Sequence, residues 1–181
     1  MTVDSHGETT LRTVKGKRKV QSQRDREEYV ARVLDREAKS TPPEAAKAMT
    51  VAIRTFLQQN ADRDGDCLSI PDSSATQRVS ASPATVGART MTAWTQDLIY
   101  AGDPVHYHGS WVTESTLSWR HATAQAERGE RYDQILAFAY PDNSLSRWGT
   151  PRSTFPLFPT ATAWPAEQMT PWQTVFQVGM G

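Results

Sequence analysis

"SASPATVGARTMTAWTQDLIYAG" runs from Ser80 to Gly102. Ser82 is a good helix cap and Pro83 suits a first helical turn. Val86, Thr90, Trp94, Leu98 and Ala101 then recur at steps of three and four, so they share one helix face. Gly102 stands where a C-terminal cap belongs. The spacing predicts one long helix from Ser82 to Gly102, held to the core by Trp94 and Leu98. Gly87 lies inside it, at a cost of about 1 kcal/mol relative to Ala.

Upstream, "STPPEAAKAMTVAIRTFLQQNAD" opens with a cap pattern. Thr41 caps, Pro42 takes the first helical position, and Glu44 completes Thr-x-x-Glu. Ala45, Ala48, Met49, Ala52, Ile53, Phe56 and Leu57 form its apolar stripe, so a core helix is expected over 44–60. Residues 22–39 place Tyr29, Val30, Val33 and Leu34 on a narrow stripe against an otherwise charged surface. A surface helix follows from this, and its stripe suits a homodimer contact. "NADRDGDCLSIPDSS" is a break, and a short helix is expected from about Pro71 to Ser80.

Downstream, Val105, Tyr107, Trp111 and Val112 flank Gly109 and Ser110 and suggest a small hairpin. Residues 115–128 read as a helix ending near Gly129. "YDQILAFAY" fits either a helix or a buried strand. From Pro141 onward prolines interrupt the chain, so 141–181 is expected to be an irregular, aromatic-rich arm. Residues 1–21 are polar and charged, and read as a disordered basic arm. The body of the protein is then 22–140.

The chain has 181 residues, a formal net charge of zero and 38% hydrophobic residues. Residues 11–39 hold ten Lys/Arg against five Asp/Glu, while 40–181 hold ten against thirteen. A basic front on a slightly acidic body suggests contact with nucleic acid. Cys67 is the only cysteine, so an intrachain disulfide is excluded, which fits a reducing compartment. The N-terminus lacks the apolar segment of a signal peptide, and "ILAFAY" is far too short to span a membrane. A soluble, cytoplasmic protein without membrane contact is expected.

The order of elements resembles the winged helix-turn-helix of plasmid and phage regulators. The likeness covers about residues 44–112: a strong helix, a turn at Asp64, Gly65 and Cys67, a short helix, a long helix starting at Ser82, Thr85 and Val86 and closing near Leu98 and Gly102, then a wing. It implies a mainly α fold with a winged helix-turn-helix-like core. It further implies transcription regulation, or a replication or transfer accessory role for a mobile element, with double-stranded DNA as partner. The N-terminus of such a helix meets phosphate and its first turns meet base edges. Thr85, Arg89 and Thr90 would read DNA and Arg78 would hold its backbone. Lys15, Lys17, Arg18 and Lys19 of the "KGKRK" cluster would grip phosphates without reading sequence.

Two further groups are weaker. Asn60, Asp62, Asp64 and Gly65 match the first half of a calcium loop, but Cys67 and Pro71 occupy positions that need an aliphatic residue and a glutamate. His106 and His108 alternate as on one strand face, with Glu114 and His121 following, which would suit a metal-dependent enzyme. No cofactor or metal is expected, and no nucleophile motif argues for an enzyme. The rival reading is a structural or assembly protein, such as a phage particle component, using its C-terminal arm.

Overall fold

The computed structural model describes residues 12–14, 16–38, 42–108 and 117–149. Two strands open the chain, β1 (Arg12–Val14) and β2 (Lys17–Val20), turning at Gly16, whose φ is +73°. The expected disordered arm is therefore strand over this stretch. Lys17, Arg18, Lys19 and Val20 bond across to Pro71, Ile70, Ser69 and Leu68, so a basic run that looks solvated is fixed by backbone pairing. Lys15 lies outside the described residues.

Helix α1 (Gln23–Glu37) starts at a capping box: Ser22 Oγ accepts from Asp25 N, and Asp25 Oδ2 accepts from Ser22 N. It is not the surface helix expected. Asp25, Arg26, Glu28 and Arg32 are buried beside Tyr29, Val30, Val33 and Leu34. Arg26 and Glu28 pair with Asp97 and Arg89 outside the helix, Arg32 pairs with Glu28 within it and Asp25 caps it, none of which a hydrophobicity pattern can reveal.

Helix α2 (Pro43–Asn60) matches the expected core helix within a residue at its start. Its cap differs, because Pro42 takes the N-cap place without a side-chain bond. Glu44 instead bonds Lys47 Nζ (2.6 Å) and the backbone N–H of Tyr132 (2.9 Å). Helices α1, α3, α4 and α5 and strand β5 all pack on α2. Ala45, Ala48, Met49, Ala52, Ile53 and Leu57 are fully buried there.

The Asp-rich break is a hairpin, β3 (Asp62–Asp64) to β4 (Cys67–Pro71). Gly65, at φ +58°, occupies the first central position of its two-residue turn, a conformation that favours glycine. The four strands lie in the order β1-β2-β4-β3, all antiparallel. No helix forms over 71–80; Thr76 Oγ1 bonds Pro71 O and Asp72 pairs with Gln77 in an isolated bridge.

The opening stretch divides in two. Helix α3 covers only Val86–Trp94, capped by Thr85, and strand β5 (Leu98–Ala101) follows after a tight turn. Asp97 makes that turn with φ +63°, the one non-glycine residue at positive φ among the described residues. A buried guanidinium bridges the C-cap of the helix and the first residue of the strand. Arg54 Nη1 bonds Thr95 O and Leu98 O, both at 2.9 Å. "LIYA" then fits a sheet better than a helix. Thr55 Oγ1 accepts from Tyr100 N at 2.8 Å, docking the strand on α2. Trp94 is 55% exposed and Val86 81% exposed, so the expected apolar face looks outward.

Strand β6 (Tyr107–His108) runs parallel to β7 (Leu117–Ser118), not as the hairpin expected across 105–112; residues 109–116 lie outside the described set. Helices α4 (Trp119–Glu127) and α5 (Tyr132–Ala139) follow, and β8 (Ser144–Arg147) pairs with β5. The part of the expected C-terminal arm that is described is thus strand, and the arm from residue 150 on lies outside the described residues. Residues to Trp148 form one compact unit of mixed helix and strand.

Candidate functional site

The helix α1 carries two kinds of chemistry at its two ends. At its N-terminal half, ion pairs knit it to α2 and α3. Arg54 is fully buried and bonds both carboxylate oxygens of Glu27, at 3.1 and 2.6 Å. Arg26 bonds Glu27 (3.1 Å) and Asp97, and stacks over the Trp148 ring at 4.5 Å. Glu28 holds Arg32 at 2.8 Å, Arg89 at 3.1 Å and the backbone N–H of Ala84 at 3.2 Å. Burial would raise its pKa, but the bonds from Arg89, Arg32 and Ala84 outweigh it and hold the carboxyl below its ordinary value.

At the C-terminal half lies a buried polar chain. Tyr29 Oη donates to Gln77 Oε1 (2.7 Å), and Gln77 Nε2 donates to Tyr107 Oη (2.8 Å) and Ile53 O (3.0 Å). Burial pushes the Tyr29 phenol up. Tyr107 is also pushed up, first by burial, against the bond from Gln77, with the fields of Tyr29 and Glu37 adding to the rise. Glu37, half-buried in the last turn of α1, is thus one of the charges that act on that phenol. Tyr29, Val33 and Glu37 follow at steps of four, which puts them on one helix face. Tyr107 packs edge-on against Phe56 with ring centres 5.8 Å apart, and Tyr140 Oη bonds the carbonyl of His106.

Beside this chain, α1 and the segment 72–82 enclose an open cleft of about 730 Å³. Arg36, Arg78, Ser73, Ser74, Ser80 and Ser82 face it. Its walls are fixed by backbone bonds. Ser80 N donates to Arg32 O (3.2 Å), Ser73 N to Gln77 O (3.3 Å), and Val79 N to Asp72 Oδ1 (3.2 Å).

The residues expected to read DNA are scattered and occupied. Thr85 Oγ1 caps α3 and donates to Asp35 at 2.7 Å. Arg89 is held by Glu28, and Thr90 Oγ1 returns to Val86 O at 2.8 Å. Lys17 pairs with Asp62 (2.7 Å) and Arg18 with Asp72 (2.9 Å) across the sheet, while Lys19 is half-buried on β2. Arg78 lines the cleft beside α1. Asp62 and Asp64 sit on the β3 hairpin rather than in a cation loop. His121 stacks edge-on against Phe138. Among the described residues no three His, Cys, Asp or Glu gather as a metal centre; the His108 side chain and Glu114 lie outside them. Sequence reasoning missed Glu37, Gln77 and Tyr29 as site residues. The only available signal was the four-residue step from Tyr29 through Val33 to Glu37.

A family model described as Stage II sporulation protein matches residues 14–128. A second, described as "Predicted secreted protein", matches residues 115–179. Along its whole length the chain is 79% identical to the "Uncharacterized protein YfaQ" of Escherichia coli (strain K12), and it spans 33% of that relative. No solved structure matches. These matches overturn the winged helix-turn-helix resemblance. With it go the DNA-binding regulator and accessory readings, their plasmid and phage setting, and the phage-particle alternative. The secreted description likewise replaces the cytoplasmic location. A lone cysteine and a polar N-terminus were weak guides, since neither reports what a longer protein carries. Among the described residues no helix is long and apolar enough to cross a membrane. The match over residues 14–128 takes in β2, the β3–β4 hairpin, α1, α2 and α3 and every residue that lines the cleft, and the chain belongs to the Stage II sporulation protein family.

Proposed function

We propose that the chain is an extracytoplasmic acid–base catalyst in which Glu37 moves the proton. One observation carries this reading: the half-buried carboxylate at the end of α1 acts electrostatically on the Tyr107 phenol, which accepts a hydrogen bond from Gln77. General acid–base work needs held groups and tuned proton affinities; here the Tyr107 phenol is held by Gln77 and raised by burial, and the carboxylate is the proton carrier we assign. The neighbouring hydroxyl-lined cleft supplies room for a substrate. The absence of a nucleophile motif in the sequence is no obstacle, because proton transfer needs none. The secreted description of the overlapping family supports a substrate outside the cytoplasm.

The test is product release. Purified chain is incubated with isolated Escherichia coli envelope, and soluble products are compared by mass spectrometry. The parent is expected to release products that Glu37→Gln does not, with both proteins giving the same circular dichroism. Tyr107→Phe is expected to keep release but change its pH profile. Equal release by the parent and Glu37→Gln discards the reading.

A further inference from the structure

Most arginines among the described residues are engaged in ion pairs, hydrogen bonds or ring contacts, and two that are not, Arg36 and Arg78, share one cleft. Arg36 and Arg78 both line the 730 Å³ cleft and are exposed. Among the described residues neither has an ion-pair or hydrogen-bond partner. The carboxylates nearby are committed elsewhere. Asp72 accepts two bonds from Arg18 (3.0 and 2.9 Å) and one from Val79 N. Asp35 accepts from Thr85 N and Thr85 Oγ1, both at 2.7 Å. Counting Arg18 against Asp72, neither cleft guanidinium is held by a carboxylate among the described residues. Ser74, Ser80 and Ser82 add hydroxyls on the same wall. Ser73 Oγ is shared with Thr76 Oγ1 at 3.0 Å, and the bonds from Ser73 N, Val79 N and Ser80 N hold the wall in place before anything binds.

We propose that this cleft binds an oxyanion, a carboxylate or phosphate carried by a small hydroxyl-bearing molecule, between Arg36 on α1 and Arg78 on the facing segment. Guanidinium groups match such anions with paired, charge-assisted donors, and serine hydroxyls can donate to the same oxygens or accept from the ligand's hydroxyls. A preformed wall lowers the ordering cost of binding. As the subsite that would orient a substrate for Glu37, the cleft rests on the function proposed above. As a binding site it is measured on its own.

The experiment titrates the chain with inorganic phosphate and, separately, with citrate at constant ionic strength, reading the arginine Nε–Hε signals by NMR. Saturable shifts with at least one anion are expected, and whichever binds tighter names the source. Arg36→Ala and Arg78→Ala are each expected to weaken binding by at least about tenfold, the scale of one lost charge-assisted contact. Glu37→Gln should bind as the parent does while losing product release. Thermal melts of the two arginine variants should overlay the parent, so that weak binding is not misfolding. No saturable shift with either anion, or parent-like affinity in the Arg36→Ala, Arg78→Ala double variant, overturns the site. Parent-like product release by Glu37→Gln would instead remove the catalytic reading and leave the anion site standing.

Discussion

Arg54 and Arg78 are the same side chain in opposite situations. Arg54 is fully buried, takes both oxygens of Glu27 and bridges the end of α3 to β5 through Thr95 O and Leu98 O. Arg78 is exposed on the rim of a cleft with its donors unspent on the described protein. The first has no donor left for a ligand. The second has nothing to hold together. A guanidinium's role in this chain is therefore read from what its donors face, not from the density of basic residues.

The contrast predicts a graded series of stability effects. The largest belongs to Arg54→Met, which leaves Glu27 with Arg26 alone and leaves Thr95 O and Leu98 O without their guanidinium. Breaking a buried pair on one side costs about 3–5 kcal/mol, and urea denaturation should show it. A loss under about 1 kcal/mol would mean that water replaces the guanidinium and that the contrast is false. Next comes Gln77→Leu, which removes a partner from Tyr29, Tyr107 and Ile53 O together. Each stranded buried group costs about 1–3 kcal/mol, and the Tyr107 environment should change in its near-ultraviolet signal.

Glu28 gives a smaller, pH-dependent effect. Its folded pKa lies below the ordinary glutamate value, so the folded state binds its proton less readily than the unfolded chain. The stabilisation is complete above the ordinary glutamate range. It fades as pH falls through that range and is gone below the depressed value. Stability measured from pH 6 to pH 2 should fall less steeply in Glu28→Gln than in the parent. Parallel curves would show that Arg32 and Arg89 contribute no charge-dependent hold. Smallest of all, Arg36→Ala and Arg78→Ala should stay within about 0.5 kcal/mol of the parent, as exposed substitutions usually do. A larger loss in either would move that arginine from the cleft to the framework.

Helix α2 was legible from the sequence because its apolar stripe is wide and continuous, and α1 because its spacing is helical. The burial of α1 was not legible, since Asp25, Arg26, Glu28 and Arg32 look like a solvated face until their partners are known. The same non-local reason hid the division of the opening stretch. The steps of four from Val86 to Leu98 are genuine, yet Arg54 bridges the C-cap to the strand from another element, and Asp97 turns the chain so that Leu98 enters a sheet. The Asp-Gly hairpin at Gly65 was readable by its turn chemistry and was passed over for its acidic residues. Trp94 shows the reverse error. It is aromatic and correctly spaced, but it lies over Lys47 Nζ at 3.7 Å and against Tyr132 at the surface. As for the site, Arg78 was singled out for its charge, whereas Glu37 and Gln77 become visible only once β6 lies beside α1 and α2.

The strand order β1-β2-β4-β3 also sets a timetable. Strands β1 and β2 are neighbours in the sequence and pair locally, but the inner edge of Lys17–Val20 must wait for Cys67–Pro71. Both long helices lie between, and closing so distant a pair is slow compared with local helix formation. Until Leu68 arrives opposite Val20, a basic ribbon with an unpaired backbone edge is open to any passing strand. Its lysines and arginines, so suggestive of a nucleic-acid grip, then serve in that interval to keep like edges apart.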